Sequence, residues 1–210
     1  MPADQKNANR FVLIVDYGMG NAGSVKNALE YLHIDHVLSA KAEDFKKATH
    51  IILPGVGSFD QCMKNLKKAG LFKLLEKEVL TKEKPYLGIC LGMQILAEYG
   101  LEGGKTAGLG WVKGNTDLMR PAGELALPHV GWNDVKVEKR SLFEGIKAPI
   151  FYFVHSYSLE PSDRKAIAGT TDYGGDFVSA VETKNIYGVQ FHPEKSQHAG
   201  LKLLENFLNK

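Results

Sequence analysis

Gly88-Ile89-Cys90-Leu91-Gly92 is the stretch that most constrains how this chain can fold. It joins an apolar run, YLGIC at 86–90, directly to a segment of helical character, LGMQILAEY at 91–99. A strand that becomes a helix with no loop between them must reverse sharply. The central residue is then strained and the flanking backbone is crowded. Glycine on either side removes the Cβ atoms that would collide. The side chain at the tip projects away from the sheet, at a helix N-terminus whose free N–H groups favour negative charge. Cys90 occupies that tip and reads as a nucleophile, with the Leu91 N–H aimed where an oxyanion would form. A lone cysteine would read as a small buried apolar residue; the glycines and the strand–helix context decide against that. Cys62, the other of the two cysteines, lies at helical spacing from Phe59, Leu66 and Ala69 and reads as core packing.

The rest of the first half has the same alternating rhythm. Residues 11–16, 36–39 and 49–53 read as strands, and 24–32 and 59–80 as helices, the latter broken near Gly70. Such alternation predicts a parallel sheet with helices on its faces. The second half changes character: DVKVE, PIFYFVHSYSL, KAIAGTTD, FVSAVET and IYGVQFH read as strands with few helices between them. They tend to antiparallel pairing, on the same sheet or beside it, and an amphipathic helix over 199–209 closes the chain. The expectation is one α/β domain over 11–210, with a mixed, mostly parallel sheet. Residues 1–10, MPADQKNANR, are polar, carry no signal-peptide core and read as a disordered extension.

Composition narrows the function classes. Hydrophobic residues make up 44% and charged residues 24%, ordinary for a globular domain. A net charge of +2 gives no pull toward nucleic acid or anionic lipid. The lysines of 64–84 alternate with glutamate and apolar residues, as on solvated helix faces. Two cysteines make no disulfide framework, so both read as reduced thiols in a cytoplasmic protein. No apolar run reaches the length of a membrane span. No Cys/His cluster has metal-ligand spacing, so neither a metal nor another cofactor is expected.

A thiol nucleophile needs a base, and the base needs a group that fixes its tautomer. Among seven histidines, His192 stands out through Gln190-Phe191-His192-Pro193-Glu194. If that piece is extended, residues i and i+2 share a side, and the Glu194 carboxylate lies beside the His192 ring. Pro193 favours extended backbone before it. The apolar IYGVQF run would place the pair at the C-terminal end of a strand, where sites assemble in open parallel sheets.

With Gly88–Gln94 (G-x-C-x-G-x-Q) and Gly188–Glu194 (GVQFHPE) in this order, the chain resembles the class I glutamine amidotransferases. The resemblance implies a triad of Cys90, His192 and Glu194. DYGMGN at 16–21, SVKNAL at 24–29, PGVGSF at 54–59, PHVGWN at 128–133, FYFVHSY at 151–157 and HPEKS at 192–196 narrow it. Together they resemble the glutaminase subunits of imidazole glycerol phosphate synthases, from about residue 11 to the C-terminus.

That resemblance implies roles residue by residue. Gly55, Val56 and Gly57 would form a mobile oxyanion strand. Gln94, with the His155-Ser156-Tyr157 region, would hold the α-amino and carboxylate groups of L-glutamine. Trp132, Asn133 and Lys195 would face a (β/α)8-barrel cyclase partner in a heterodimer. Ammonia would pass to that partner, which makes imidazole glycerol phosphate and AICAR in histidine biosynthesis. On the residues alone, Gln94 also reads as an exposed helix residue, His155 as a satisfied core histidine and Trp132 as a core aromatic. An alternative is a paralogous subunit whose ammonia amidinates a nucleotide-linked surface sugar, and the unfamiliar stretch 102–107 bears on it. PHVGWN and HPEKS speak against a stand-alone peptidase or γ-glutamyl hydrolase, and the complete Cys, His and Glu set against a silent binding subunit.

Overall fold

The computed structural model describes residues 10–210, so the expected disordered extension over 1–10 falls, save for Arg10, outside the described residues. In chain order the elements are β1 (Phe11–Val15), α1 (Ala22–Tyr31), β2 (Asp35–Ser39), α2 (Ala42–Lys47), β3 (His50–Gly55), α3 (Phe59–Lys68) and α4 (Leu71–Leu75). A π-helical turn, Glu76–Thr81, leads to β4 (Tyr86–Cys90), α5 (Leu91–Gln94), β5 (Tyr99–Gly100), β6 (Thr106–Ala107) and β7 (Gly114–Leu118). There follow β8 (His129–Asp134), β9 (Lys136–Val137), β10 (Ile150–His155), β11 (Tyr157–Pro161), β12 (Ile167–Asp172), β13 (Asp176–Thr183) and β14 (Ile186–Val189). A 3-10 turn, Pro193–Lys195, precedes the closing helix α6 (Gln197–Leu208).

The main sheet has eight strands in the order β2-β1-β3-β4-β14-β13-β12-β9. Pairing is parallel from β2 across to β14 and antiparallel from β14 to β9. This is the mixed α/β sheet that the alternation of the first half and the strand-rich second half predict. The second half also builds a four-stranded sheet, β11-β7-β5-β6, and a two-stranded ribbon, β8–β10. Among the described residues no helix is long and apolar enough to cross a membrane.

The central parallel strands are apolar at successive positions because both their faces are covered. Strand alternation sends Val12, Ile14, Leu87 and Ile89 to one face, packed with Val25 and Leu29 of α1 and Leu203, Leu204 and Phe207 of α6. It sends Leu13, Val15, Ile51 and Leu53 to the other, packed with Phe45 of α2 and Phe59, Cys62, Met63 and Leu66 of α3. Cys62 is core packing, as its spacing predicts, whereas Ala69 lies beyond the last turn of α3 and is exposed. Gly70, at φ +70°, supplies the left-handed residue that ends α3.

Two expectations are corrected. The helix over 91–99 stops at Gln94: the carbonyls of Ile95, Leu96 and Ala97 are taken by the amides of Leu109, Gly110, Trp111 and Val112, and Tyr99 joins a strand. The lysines of 64–84 are not all solvated. Lys84 is largely buried, paired at 2.8 Å with the buried Glu78 and donating to the carbonyls of Phe45 and Lys46.

Candidate active site

Strands β3 and β4 run parallel in a register that puts Gly55 opposite Cys90. Cys90 has φ 54° and ψ −109°, a conformation that side chains rarely adopt and the strained tip that the motif predicts. Gly88 and Gly92 are required: a Cβ on Gly92 would strike the Leu53 carbonyl, and one on Gly88 the Gly92 carbonyl. Cys90 is 7% exposed, its sulfur 4.0 Å from the Val154 carbonyl and 3.6 Å from Gln190 Nε2. The helix behind it, α5, is a single turn.

His192 and Glu194 meet, but not through the extended segment expected of them. Pro193, lacking an N–H, opens a 3-10 turn in which the Lys195 amide donates to the His192 carbonyl at 3.0 Å. The turn folds the carboxylate back, so His192 Nδ1–H donates to Glu194 Oε1 at 2.8 Å. The Glu194 side chain is fully buried, and Oε1 also accepts from Asn21 Nδ2 at 3.4 Å. Strand β10 and Ser196 hold the histidine backbone. The His192 amide donates to the Tyr152 carbonyl at 2.9 Å, and Ser196 Oγ donates to the His192 carbonyl while accepting from the Tyr152 amide.

This leaves His192 Nε2 buried without a hydrogen-bond partner. Burial by itself lowers the pKa of the imidazole, yet the sulfur of Cys90 and the carboxylate of Glu194 together raise it to about 9. Cys90 acts here as a near neighbour of the ring, outside hydrogen-bonding geometry, since Nε2 has no bonded partner.

The residues expected to hold an amino-acid substrate converge on one carbonyl. Gln94 Nε2 and His155 Nδ1 both donate to Tyr157 O, each at 2.9 Å. Gln94 is 5% exposed, so it is not the exposed helix residue of the alternative reading. The Ser156 carbonyl accepts from the Met119 amide. His155 is buried, and burial with the nearby rings of His129 and His192 pushes its pKa down to about 3 against the Tyr157 bond. Val56 is 43% exposed beside Gly57, whose φ is +102°.

The expected interface residues divide. Trp132 is 50% exposed, not a core aromatic, and its ring stands 6.1 Å from that of Tyr152. Lys195 Nζ lies 5.7 Å from the same Tyr152 ring. Asn133, next along β8, points the other way: its Nδ2 donates to the Asp172 carbonyl at 2.9 Å and to His129 Nε2 at 3.4 Å. Trp132 and Lys195 are therefore gathered around Tyr152, and Asn133 is not.

The family model described as Glutamine amidotransferase class-I matches residues 13–210. The chain belongs to the class-I glutamine amidotransferases. "Imidazole glycerol phosphate synthase subunit HisH 2" of Methanococcus maripaludis is 47% identical to it, covering 94% of this chain and 98% of that protein. "Imidazole glycerol phosphate synthase subunit HisH 1" of Campylobacter jejuni is 42% identical, again covering 94% and 98%. A solved structure described as a glutamine amidotransferase shares the fold, with a TM-score of 0.74 at 20% identity over 94% of this chain and 97% of that one.

A glutamine amidotransferase needs a nucleophile, a proton carrier and oxyanion donors around one carboxamide. Here the Cys90 thiol lies beside the His192 ring, and the Gly55 backbone is paired in register with Cys90 on the neighbouring strand. Four residues that sequence reasoning passed over complete the surroundings. Asn21 braces Glu194, Ser196 fixes His192, Gln190 reaches the Cys90 sulfur and His129 contacts His155. Each lies inside a quoted motif, but nothing local to its motif tells what it touches.

Proposed function

We propose that this glutamine amidotransferase is a glutaminase subunit that hydrolyses L-glutamine to glutamate and ammonia through Cys90, His192 and Glu194. The observation that carries this is the meeting of a strained, nearly buried Cys90 with a His192–Glu194 pair whose Nε2 is left without a partner. The Cys90 sulfur attacks the carboxamide carbon of glutamine. The oxyanion is met by the Leu91 N–H and by a peptide of Gly55-Val56-Gly57. His192 delivers a proton from Nε2 to the departing ammonia, leaving a thioester on Cys90. It then takes a proton from water as the water attacks the thioester, and glutamate leaves. Glu194 holds the ring through Nδ1 throughout.

The substrate's α-amino and carboxylate groups fall to Gln94 and the His155–Tyr157 backbone. The ammonia goes to a partner, because ammonia released into water is protonated and diluted. The partner proposed is the other subunit of an imidazole glycerol phosphate synthase, a (β/α)8-barrel cyclase of histidine biosynthesis, which the names of the relatives support. Trp132 and Lys195 on the exposed side of the β8–β10 ribbon supply docking groups next to the strand that holds His192.

A second reading has one observation in its favour. The two relatives named above carry copy numbers, 2 and 1, in their names. Organisms with several such subunits have room for one whose ammonia amidinates a nucleotide-linked surface sugar. Glutamate release by the purified chain separates the two readings, measured alone, with a histidine-pathway barrel and its nucleotide, and with Cys90→Ala as control. A rate that rises with that barrel and vanishes in the variant supports the first reading. Hydrolysis indifferent to the barrel moves the second ahead. No hydrolysis in any arm overturns both.

A further inference from the structure

A continuous run of hydrogen bonds crosses from the β8–β10 ribbon to the Cys90 sulfur. Asn133 Nδ2 reaches His129 Nε2 at 3.4 Å, and His129 Nδ1 reaches His155 Nε2 at 3.2 Å. His155 Nδ1 and Gln94 Nε2 meet on Tyr157 O. Gln94 Nε2 also reaches Gln190 Oε1 at 3.2 Å, and Gln190 Nε2 stands 3.6 Å from Cys90 Sγ.

The direction of every bond follows from the one group that cannot donate. A backbone carbonyl only accepts, so Tyr157 O requires N–H donors from both sides. On one side this fixes the Gln94 amide with its nitrogen toward Tyr157. Gln190 must then offer Oε1 to Gln94, which turns its NH2 toward the sulfur. On the other side it fixes the proton of His155 on Nδ1, which makes Nε2 an acceptor and places the His129 proton on its own Nδ1. His129 Nε2 then accepts from Asn133, whose orientation is fixed independently: Nδ2 donates to the Asp172 carbonyl, and Oδ1 accepts from the Asp134 amide at 2.8 Å. The two ends agree, and a neutral His129–His155 pair satisfies the whole run. Burial, which lowers both imidazole pKa values, supports that neutral state.

We propose that Gln190 is a further catalytic residue, its amide N–H bonding the Cys90 sulfur, and that His155, braced by His129, is a positioning residue that holds the Tyr157 carbonyl against which Gln94, and through it the Gln190 amide, is oriented. This rests on the reading of Cys90 as the nucleophile. Gln190 is wholly buried, so its N–H reaches a sulfur lone pair with no water competing. Such a bond strengthens as charge gathers on sulfur, and it weakens when the sulfur forms the thioester, which bears no charge. It favours the attacking thiolate and the departure of the product from it.

The test is the rate of iodoacetamide alkylation at Cys90 at neutral pH, located by peptide mass spectrometry. Cys90→Ser reports any label on the fully buried Cys62. Gln190→Met keeps length and volume but has no N–H. It is expected to slow alkylation about tenfold, the worth of one hydrogen bond to a charged group, and to lower kcat with KM nearly unchanged. His155→Asn keeps a donor in the place of Nδ1 and is expected to retain most of the wild-type rate, whereas His155→Leu loses it. Thermal melting confirms that each variant is folded. Wild-type alkylation in Gln190→Met overturns the assignment of Gln190, and wild-type alkylation in His155→Leu overturns that of the histidines. Alkylation needs neither glutamine nor partner, so it judges this proposal even where glutamine turnover fails.

Discussion

Gly55 is paired in register with Cys90 across two parallel strands, and position 55 has no room for a side chain. A Cβ at position 55 would lie 2.7 Å from Leu91 Cβ and 2.8 Å from the Tyr17 hydroxyl. That hydroxyl is itself committed, donating to the Pro54 carbonyl at 3.0 Å. The proposed oxyanion strand is thus anchored at Pro54 and free to turn only beyond it. Gly55→Ala is expected to destabilise the protein by about 1–3 kcal/mol, the usual cost of overpacking. It is also expected to depress glutamate release far more than that loss of folded protein accounts for. Chemical denaturation alongside the activity assay checks both. Unchanged activity would remove Gly55 from the oxyanion site.

The bond between His192 and Glu194 sets a second expectation. Glu194→Gln keeps the shape but removes the charge that, with Cys90, holds the ring near pKa 9. Burial then has less opposing it, and the titration of His192 moves to lower pH. Imidazole resonances followed by NMR across pH report this directly. A His192 that titrates identically in both proteins would show that Glu194 does not govern its charge. Loss of the correct tautomer typically costs several orders of magnitude in turnover when a buried carboxylate is neutralised in this way, as much as ~10⁴.

How far the sequence led is visible in these residues. The turn at Cys90 is legible because its cause is local: both glycines stand within two positions of the cysteine, and each avoids one collision. The His192–Glu194 contact is legible as a pair, but its conformation is not. The i, i+2 rule for extended chain predicts the neighbour for a different reason than the 3-10 turn that supplies it. The length of α5 is hidden because residues 91–97 are buried all round, so their apolar run carries no face, and the loop 108–112 whose amides take their carbonyls lies beyond it. Asn21, His129 and Gln190 were missed for one reason. Their partners lie 173, 26 and 100 residues away in the chain, and only the sheet order brings them together.

The buried histidines predict opposite pH dependences of stability. His155 has its folded pKa lowered from 6.5 to about 3, so it contributes stability that is full above pH 6.5 and is lost as pH falls toward 3. His129 is lowered as well and adds to the same loss. His192, raised from 6.5 to about 9, contributes stability that is full below 6.5 and is lost as pH rises through 9. Each group tilts stability by at most about 1.4 kcal/mol per pH unit within its window. Urea midpoints across pH are expected to fall on both sides of neutrality. In His155→Asn the acid-side slope shrinks, and the alkaline side keeps its wild-type form.

Trp132 carries the last expectation, because half of its surface is exposed. Along β8 and β10, Val130, Trp132 and Ile150 are 56%, 50% and 41% exposed, an apolar stripe on the ribbon's outer side. The inner side of the same ribbon packs Phe151 and Phe153 into the core. Truncating the indole removes little from the fold, so Trp132→Ala is expected to melt within a degree or two of wild type. If the stripe is where a synthase subunit docks, an indole near its centre is the kind of side chain that dominates such contacts. The same variant is then expected to weaken partner binding by about 2 kcal/mol or more, a loss of about thirtyfold. Isothermal titration against the barrel partner reads that loss. An undiminished affinity would move the interface to another face, and a collapse in melting temperature would instead make Trp132 part of the core.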